Sequence, residues 1–434
     1  MARILVATTP GDGHINPMVA VVRELVRHGH EVRWYTGRHY QPKVEAQGAV
    51  WRPMRAGYDF GGKNRAEAFP QLGEQRGLSG FKAAWKTIFM DTVPGQLQDL
   101  LELLQEAPAD VLVADEMCFA ASLAGEKTGI PVALVATSIY FFSSRDTAPL
   151  GLGLPPAGSP LGRVRNALLH ALVDHVTLRE LRRHAQQLRA QVGLPRLQRG
   201  ALESLTAPPE LYLLGTVPSF EYPRSDLYPQ THFVGSFFTA PPGPYTPPAW
   251  WKDLEQGRPV VHVTQGTVSN EADKLLLPTL RALANEDVLV VATTGGPPVE
   301  SLGLPSLPAN ARLERFIPHA HLLPHVHLMV TNGGYSGVQT ALSHGVPLVV
   351  AGSSEEKPEV AAHVAWAGVG LDLKTGQPSE ARIREAVRTV LDEPRYRQRA
   401  RQLQQEYRAL SGPQRAADLI EELARTRRPV LRAA

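Results

Sequence analysis

A single cysteine, Cys118, occurs among 434 residues, which excludes an intramolecular disulfide and any metal centre built from cysteines. The lone thiol fits a cytoplasmic protein and reads as a core residue. No apolar run approaches the roughly 20 residues that cross a bilayer, so stable membrane insertion is not expected. Residues 4–7 are too short for the apolar region of a signal peptide, and Pro10 to Gly13 end them, so the chain is expected to open directly with a buried strand. An excess of one charge is also missing: 45 Lys and Arg against 42 Asp and Glu leave +3. The densest basic run, Arg179, Arg182 and Arg183, shares its helical stretch with Glu180 and reads as a solvated face, with no nucleic-acid partner implied.

What is present is ordinary globular material. A hydrophobic content of 43% supplies a sizeable core and leaves no room for a long disordered tail, and the length favours two domains. Residues 3–8 read as an apolar strand, 9–16 as a turn-rich loop, 17–28 as a helix opened by Pro17 and closed by Gly29, and 31–35 as a second strand. Residues 111–114 form another strand ending at Asp115, followed by a helix to residue 126 and a strand at 131–135. This βα alternation predicts a doubly wound parallel sheet over residues 1–238. Residues 239–250, TAPPGPYTPPAW, are too proline-rich for helix or central strand and mark a semi-rigid linker, taken as 239–257. A second α/β series, 258–410, has apolar runs at 259–264, 288–292, 328–330 and 346–351. The crevice between two such sheets is the natural ligand site.

His14 lies between the end of a strand and the start of a helix, where an imidazole can serve as a general base near neutral pH. Asp115 ends another strand of the same sheet and can orient that imidazole, as in a catalytic triad. Residues 331–339, TNGGYSGVQ, connect a strand to a helix, where glycines bring backbone N–H groups and the helix dipole onto an anion. Thr264-Gln265-Gly266-Thr267 also follows a strand, and its hydroxyls suit a phosphate oxygen. The aromatic residues Tyr58, Phe60, Phe81, Trp85, Phe89, Tyr140, Phe141 and Phe142 suit either a core or an apolar acceptor pocket. Three other motifs fail. Asn16 replaces the third glycine of a dinucleotide fingerprint, residues 334–338 lack the last glycine of a nucleophile elbow, and prolines interrupt the run of His319, His321, His325 and His327, so no metal site is expected.

The segments GDGHINP, FIPHAHLLPHVHLMVTNGGYSG and VPLVVAGSSEEKPEVAAHVAWAGVG, in this order, resemble the macrolide- and antibiotic-type, UDP-glycosyltransferase-like family. The resemblance covers nearly the whole chain. It implies an α/β GT-B fold: two Rossmann-like domains whose parallel sheets face a cleft, with the acceptor in the first, the nucleotide sugar in the second, and residues 411–434 packing back on the first through a helix at 413–425. It makes His14 the base and Asp115 its partner. It puts Gly13, Thr267, Phe316, His319, Asn332, Gly333, Gly334, Ser336, Gly337, Glu356 and Lys357 on the donor, with Phe316 stacked on the base and Thr267, Gly333 and Gly334 at the diphosphate. Tyr58, Phe60, Trp85, Phe89, Phe141 and Phe142 are the residues expected around the acceptor. The implied reaction is inverting, metal-independent and cofactor-free transfer from a UDP- or dTDP-sugar to a hydroxyl of a small lipophilic or aromatic acceptor.

The sequence also departs from the family pattern. Asn332 replaces a histidine on the diphosphate and brings no charge. Gly337 replaces a Ser or Thr, with Ser336 beside it, and Thr340 replaces a ribose-binding glutamate, which a deoxyribose would tolerate. Glu356-Lys357 stands where an Asp-Gln pair holds sugar hydroxyls, and a lysine cannot accept a hydrogen bond. These departures keep open a non-catalytic nucleotide-sugar-binding or activator protein, and a nucleotide-sugar epimerase of the same fold is the other alternative.

Overall fold

The strands RILVA, VLVAD and VVHVT are apolar at nearly every position, which is the pattern of strands covered on both faces. The structure, a computed structural model describing residues 1–73, 77–238, 245–266, 271–304 and 306–432, places them at the centres of two sheets. The first sheet contains β1 (Arg3–Ala7), β2 (Glu31–Tyr35), β3 (Val50–Arg52), β4 (Val111–Asp115), β5 (Val132–Val135), β6 (Leu211–Leu214) and β7 (Thr231–Phe233), in the order β3-β2-β1-β4-β5-β6-β7. The second contains β8 (Val260–Thr264), β9 (Leu289–Thr293), β10 (Ala311–Glu314), β11 (Leu328–Thr331), β12 (Leu348–Val350) and β13 (Gly370–Asp372), in the order β10-β9-β8-β11-β12-β13. Every strand pair between the described residues is parallel. The order reverses between β1 and β4 in one sheet and between β8 and β11 in the other. Ligands bind outside the carboxyl ends of strands at such switch points.

One local expectation needs correction. The helix expected from Pro17 begins at Asp12 and runs to Arg27, so His14 sits in its first turn and Pro17 inside it. Its start is fixed by the Gly11 carbonyl, which accepts from the N–H of His14 at 2.9 Å and of Ile15 at 3.0 Å. Pro17 has no N–H to offer the Gly13 carbonyl, and that defect lies in the first turns, where it costs least. The stretch 239–257, expected as a semi-rigid linker, is described from residue 245 onward, where Ala249–Glu255 form a helical turn. Trp250 Nε1 donates to Glu314 at 2.8 Å, tying the turn to β10.

The helix Gly412–Thr426 returns from the second sheet to the first. Ala416, Leu419, Ile420 and Leu423 join the core beneath β1 and β4 with Val21, Val22 and Leu25. At its edge the Glu421 carboxylate hydrogen-bonds His28 Nδ1 and lies 2.9 Å from His30 Nε2. Among the described residues no helix is long and apolar enough to cross a membrane.

Candidate functional site

β1 and β4 flank the first switch point; β4 delivers Asp115 to it, and the helix that follows β1 delivers His14 from its first turn. His14 Nδ1 lies 2.9 Å from Asp115 Oδ1. The Asp115 carboxylate is fully buried and accepts the N–H of Thr9 at 2.7 Å and of Met117 at 3.0 Å. A carboxylate held by backbone donors fixes the proton on Nδ1 and leaves Nε2 of the neutral ring as an acceptor. Burial pulls the His14 pKa down, but the charge of Asp115, backed by Glu116 and Glu356, outweighs it and lifts the value above the ordinary imidazole range.

Glu356 belongs to the second half, so its action on His14 spans the cleft. Its own carboxyl is raised, chiefly by burial and then by Glu355, against the opposing pull of Lys357 and His14. Gly13, beside His14, faces open space, with no atom within 4 Å of where a Cβ would stand.

At the second switch point the turn after β11 needs its glycine. Gly333 has φ +85°, and a Cβ there would stand 2.7 Å from Val350 Cγ1. Gly334 caps the helix Tyr335–Ser343 with no side-chain cap bond, and the first-turn N–H groups of a helix have no intrahelical partner. Asn332 Nδ2 donates to the Gln265 carbonyl at 2.5 Å, joining the turn after β11 to the turn after β8. The amide expected at the diphosphate therefore also ties the two turns together. Ser336 is exposed in the first helical turn, whereas Thr340 spends its hydroxyl on the Ser336 carbonyl at 2.7 Å. A side chain at Gly337 would meet only Met329 Cε, at 3.6 Å, so nothing in the packing demands glycine there. Thr267 lies outside the described residues.

Phe316 is 70% exposed on the loop after β10. His319, three residues on, packs edge-on against His262 with ring centres 5.4 Å apart. Burial holds both rings below the ordinary range, His319 at about 4 and His262 at about 3, so both are neutral at physiological pH. The four histidines of residues 319–327 do not converge: His321 stacks on Tyr245, His325 meets the edge of Trp251, and His327 Nδ1 accepts from Val260 N–H.

The aromatic candidates separate into three groups. Phe89 lies edge-on to His14 at 5.9 Å, Trp85 touches Phe89 at 5.5 Å, and Phe141 stacks on Trp85 at 6.3 Å, making a wall beside the imidazole. Tyr58 and Phe60 cluster instead with Phe69, and the Tyr58 hydroxyl donates to the Ala68 carbonyl at 2.6 Å. Phe142 is 2% exposed and packs among Tyr140, Tyr212 and Tyr228 while also lining a cleft with Phe141. This cleft is open to solvent and reaches His170, Arg224 and Glu359.

Glu116 carries no signal in the sequence. It is buried beside Asp115, accepts the N–H of Thr137 at 3.0 Å and of Ser138 at 3.2 Å and the Tyr212 hydroxyl, and so pins the loop that leads to Phe141. Burial pushes its carboxyl up to about 7.

The two parallel-sheet domains and their paired switch points define a class of fold, GT-B. Residues 277–423 match the family described as Erythromycin biosynthesis protein CIII-like, C-terminal domain. The chain is 60% identical over 422 residues to 4'-demethylrebeccamycin synthase of Lentzea aerocolonigenes, spanning 97% of this chain and 99% of that protein. It is 32% identical over 440 residues to UDP-glycosyltransferase 2 of Phaeomoniella chlamydospora, spanning 97% and 95%. Its fold is shared with the kitacinnamycin glycotransferase, at 23% identity and a TM-score of 0.75, over 97% of this chain and 98% of that one. The chain belongs to the nucleotide-sugar glycosyltransferases of natural-product type. Neither the epimerase nor the non-catalytic reading is favoured by these relatives.

Proposed function

We propose that the protein moves a sugar from a UDP- or dTDP-sugar to a hydroxyl of a small, flat aromatic acceptor, with inversion at the anomeric carbon and with neither metal nor cofactor. The observation that carries this reading is the His14–Asp115 pair at one switch point facing, through Glu356, the Gly333 turn at the other. His14 Nε2 takes the acceptor proton as the oxygen attacks the anomeric carbon, and the bond to the diphosphate breaks on the opposite face. Asp115 holds the ring in the useful tautomer and stabilises the imidazolium that forms. The N–H groups after Gly333, with Ser336 and Gly13 at the rim, receive the leaving diphosphate, which is the larger electrostatic demand. Phe316 offers its exposed face to the nucleotide base beside neutral His319. With Thr340 committed to its own helix, no ribose-binding carboxylate stands there, which supports a deoxyribose donor.

The wall of Trp85, Phe89 and Phe141 supports a flat acceptor, and the sugar-free form of 4'-demethylrebeccamycin, the product in the 60% relative's name, is the first to try. The lone buried thiol suits a cytoplasmic setting.

The test is to incubate the chain with UDP- or dTDP-glucose and such an acceptor, with and without EDTA, and to follow nucleotide release, glycoside mass and anomeric configuration. The expected outcome is an inverted glycoside at a rate unaffected by EDTA. Loss of activity in EDTA would remove the metal-free mechanism, a retained configuration would remove inversion, and a new nucleotide sugar formed without acceptor would restore the epimerase.

A further inference from the structure

Lys357 opens the helix Lys357–Trp366 and is only 5% exposed. Lysines are almost never buried this far unless an anion is arranged for them. Its stem lies over the glycine turn: a Cβ at Gly333 would stand 3.7 Å from Lys357 Cβ, and one at Gly352 only 2.7 Å from it. The ammonium donates to Ser354 Oγ at 3.3 Å and to the Glu355 carboxylate.

Glu355 is an unusual partner. Its backbone is left-handed, φ +57°, in a region that side-chain-bearing residues rarely adopt, and its side chain is 49% exposed while that of Lys357 is 6% exposed. Strained backbone of this kind concentrates at switches and ligand clamps. The next residue, Glu356, belongs to the same turn, and its charge reaches His14 across the cleft. Meanwhile Asn332, on the facing turn, contributes no charge.

We propose that Lys357 is the cation for the diphosphate of the donor, and that the Glu355 carboxylate is the group the diphosphate displaces from it. The inference rests on the transferase reading above. The exchange replaces one anion by another, so the buried ammonium stays neutralised, and it frees the 355 backbone to relax. A lysine here makes up for the charge missing at position 332, at the cost of a hydrogen-bond acceptor for the sugar.

The experiment is calorimetric titration of the full chain with UDP and dTDP, and with uridine and thymidine as probes lacking phosphate, for wild type, Lys357→Gln, Lys357→Arg and Glu355→Ala. A charge-assisted hydrogen bond predicts that Lys357→Gln weakens diphosphate binding about 10- to 100-fold and leaves the nucleosides unchanged. Lys357→Arg should recover part of the loss, and Glu355→Ala should tighten diphosphate binding. Unchanged diphosphate affinity in Lys357→Gln, with only the KM for the nucleotide sugar raised, would overturn the proposal and make Lys357 a sugar contact. Weaker binding in Glu355→Ala would overturn the displacement step even if Lys357→Gln did not fold. Failure of the wild type to bind any nucleoside diphosphate would instead bring down the transferase reading itself, and this inference with it.

Discussion

Asp115 and burial push the His14 ring in opposite directions, and the carboxylate wins. The base form therefore fills only as pH rises through a value above about 6.5, the ordinary one for histidine. Transfer should climb with pH along a limb centred above that value. In Asp115→Asn the raising charge is gone and burial remains, so the limb should move to lower pH while kcat falls about 10²- to 10⁴-fold, the range of general-base assistance, and His14→Ala should lose as much. A pH–rate series on the three proteins checks this; a limb that moves upward in Asp115→Asn would remove Asp115 from the role. The pair was legible in the sequence because Asp115 ends a strand and His14 follows the loop after another, beside one switch point. Glu116 was not, because its meaning depends on Tyr212, 96 positions away, whose hydroxyl it accepts.

Among the elements, the glycine turn after β11 is the most exacting. Gly333→Ala would force a Cβ into a left-handed backbone and to within 2.7 Å of Val350 Cγ1. Strain at such a position costs on the order of 1–3 kcal/mol, and relief comes only by moving the turn that presents the N–H groups. The expected outcome is a folded protein with lowered Tm and at least tenfold weaker binding of UDP and dTDP, while Gly337→Ser, which has room for its side chain, binds as wild type. Equal binding by Gly333→Ala would separate this turn from the diphosphate. Sequence patterns exposed the long apolar strands, whereas β3, β7 and β13, three residues each, are too short for any periodicity to show. The start of the first helix was misplaced for a comparable reason. Pro17 is a strong opening signal, yet the Gly11 carbonyl had already fixed the first turn. Aromatic content likewise could not tell wall from core. Phe89 meets His14, and Trp85 and Phe141 stack behind it, only because the wide helical turn Trp85–Met90 and the loop after β5 converge, while Phe142, next in sequence, packs against Tyr212.

At the scale of the molecule, the two halves are joined by a buried charge cluster that no local pattern announces, since Glu221 and His363 stand 142 residues apart. Glu221 Oε1 accepts His363 Nε2 at 2.9 Å and Arg224 Nη1 at 2.8 Å, and Oε2 accepts the Tyr140 N–H at 3.1 Å. Tyr222 stacks on His363 at 3.6 Å, and on the same helix Glu359 accepts the N–H groups of Gly151 and Gly153 from the first half. Burial alone would raise the Glu221 carboxyl, but Arg224 and His363 outweigh it and hold the carboxyl well below the ordinary range. A carboxyl depressed on folding stabilises fully above its unfolded value, about 4.3, and that stability drains away as pH falls through the lower folded value. Between pH 6 and 8 this group should therefore add no pH dependence, and the drop in wild-type Tm belongs below about pH 4. Glu221→Ala leaves the Arg224 guanidinium, 4% exposed, without its main partner, and breaking a buried pair in this way costs about 3–5 kcal/mol. Thermal unfolding from pH 3 to 8 should show the variant with a much lower Tm at neutral pH and a shallower acid decline than wild type. Parallel curves would mean that the halves are held by their apolar contacts, Phe220 against the second sheet's core among them, and that the ion cluster only sets their register.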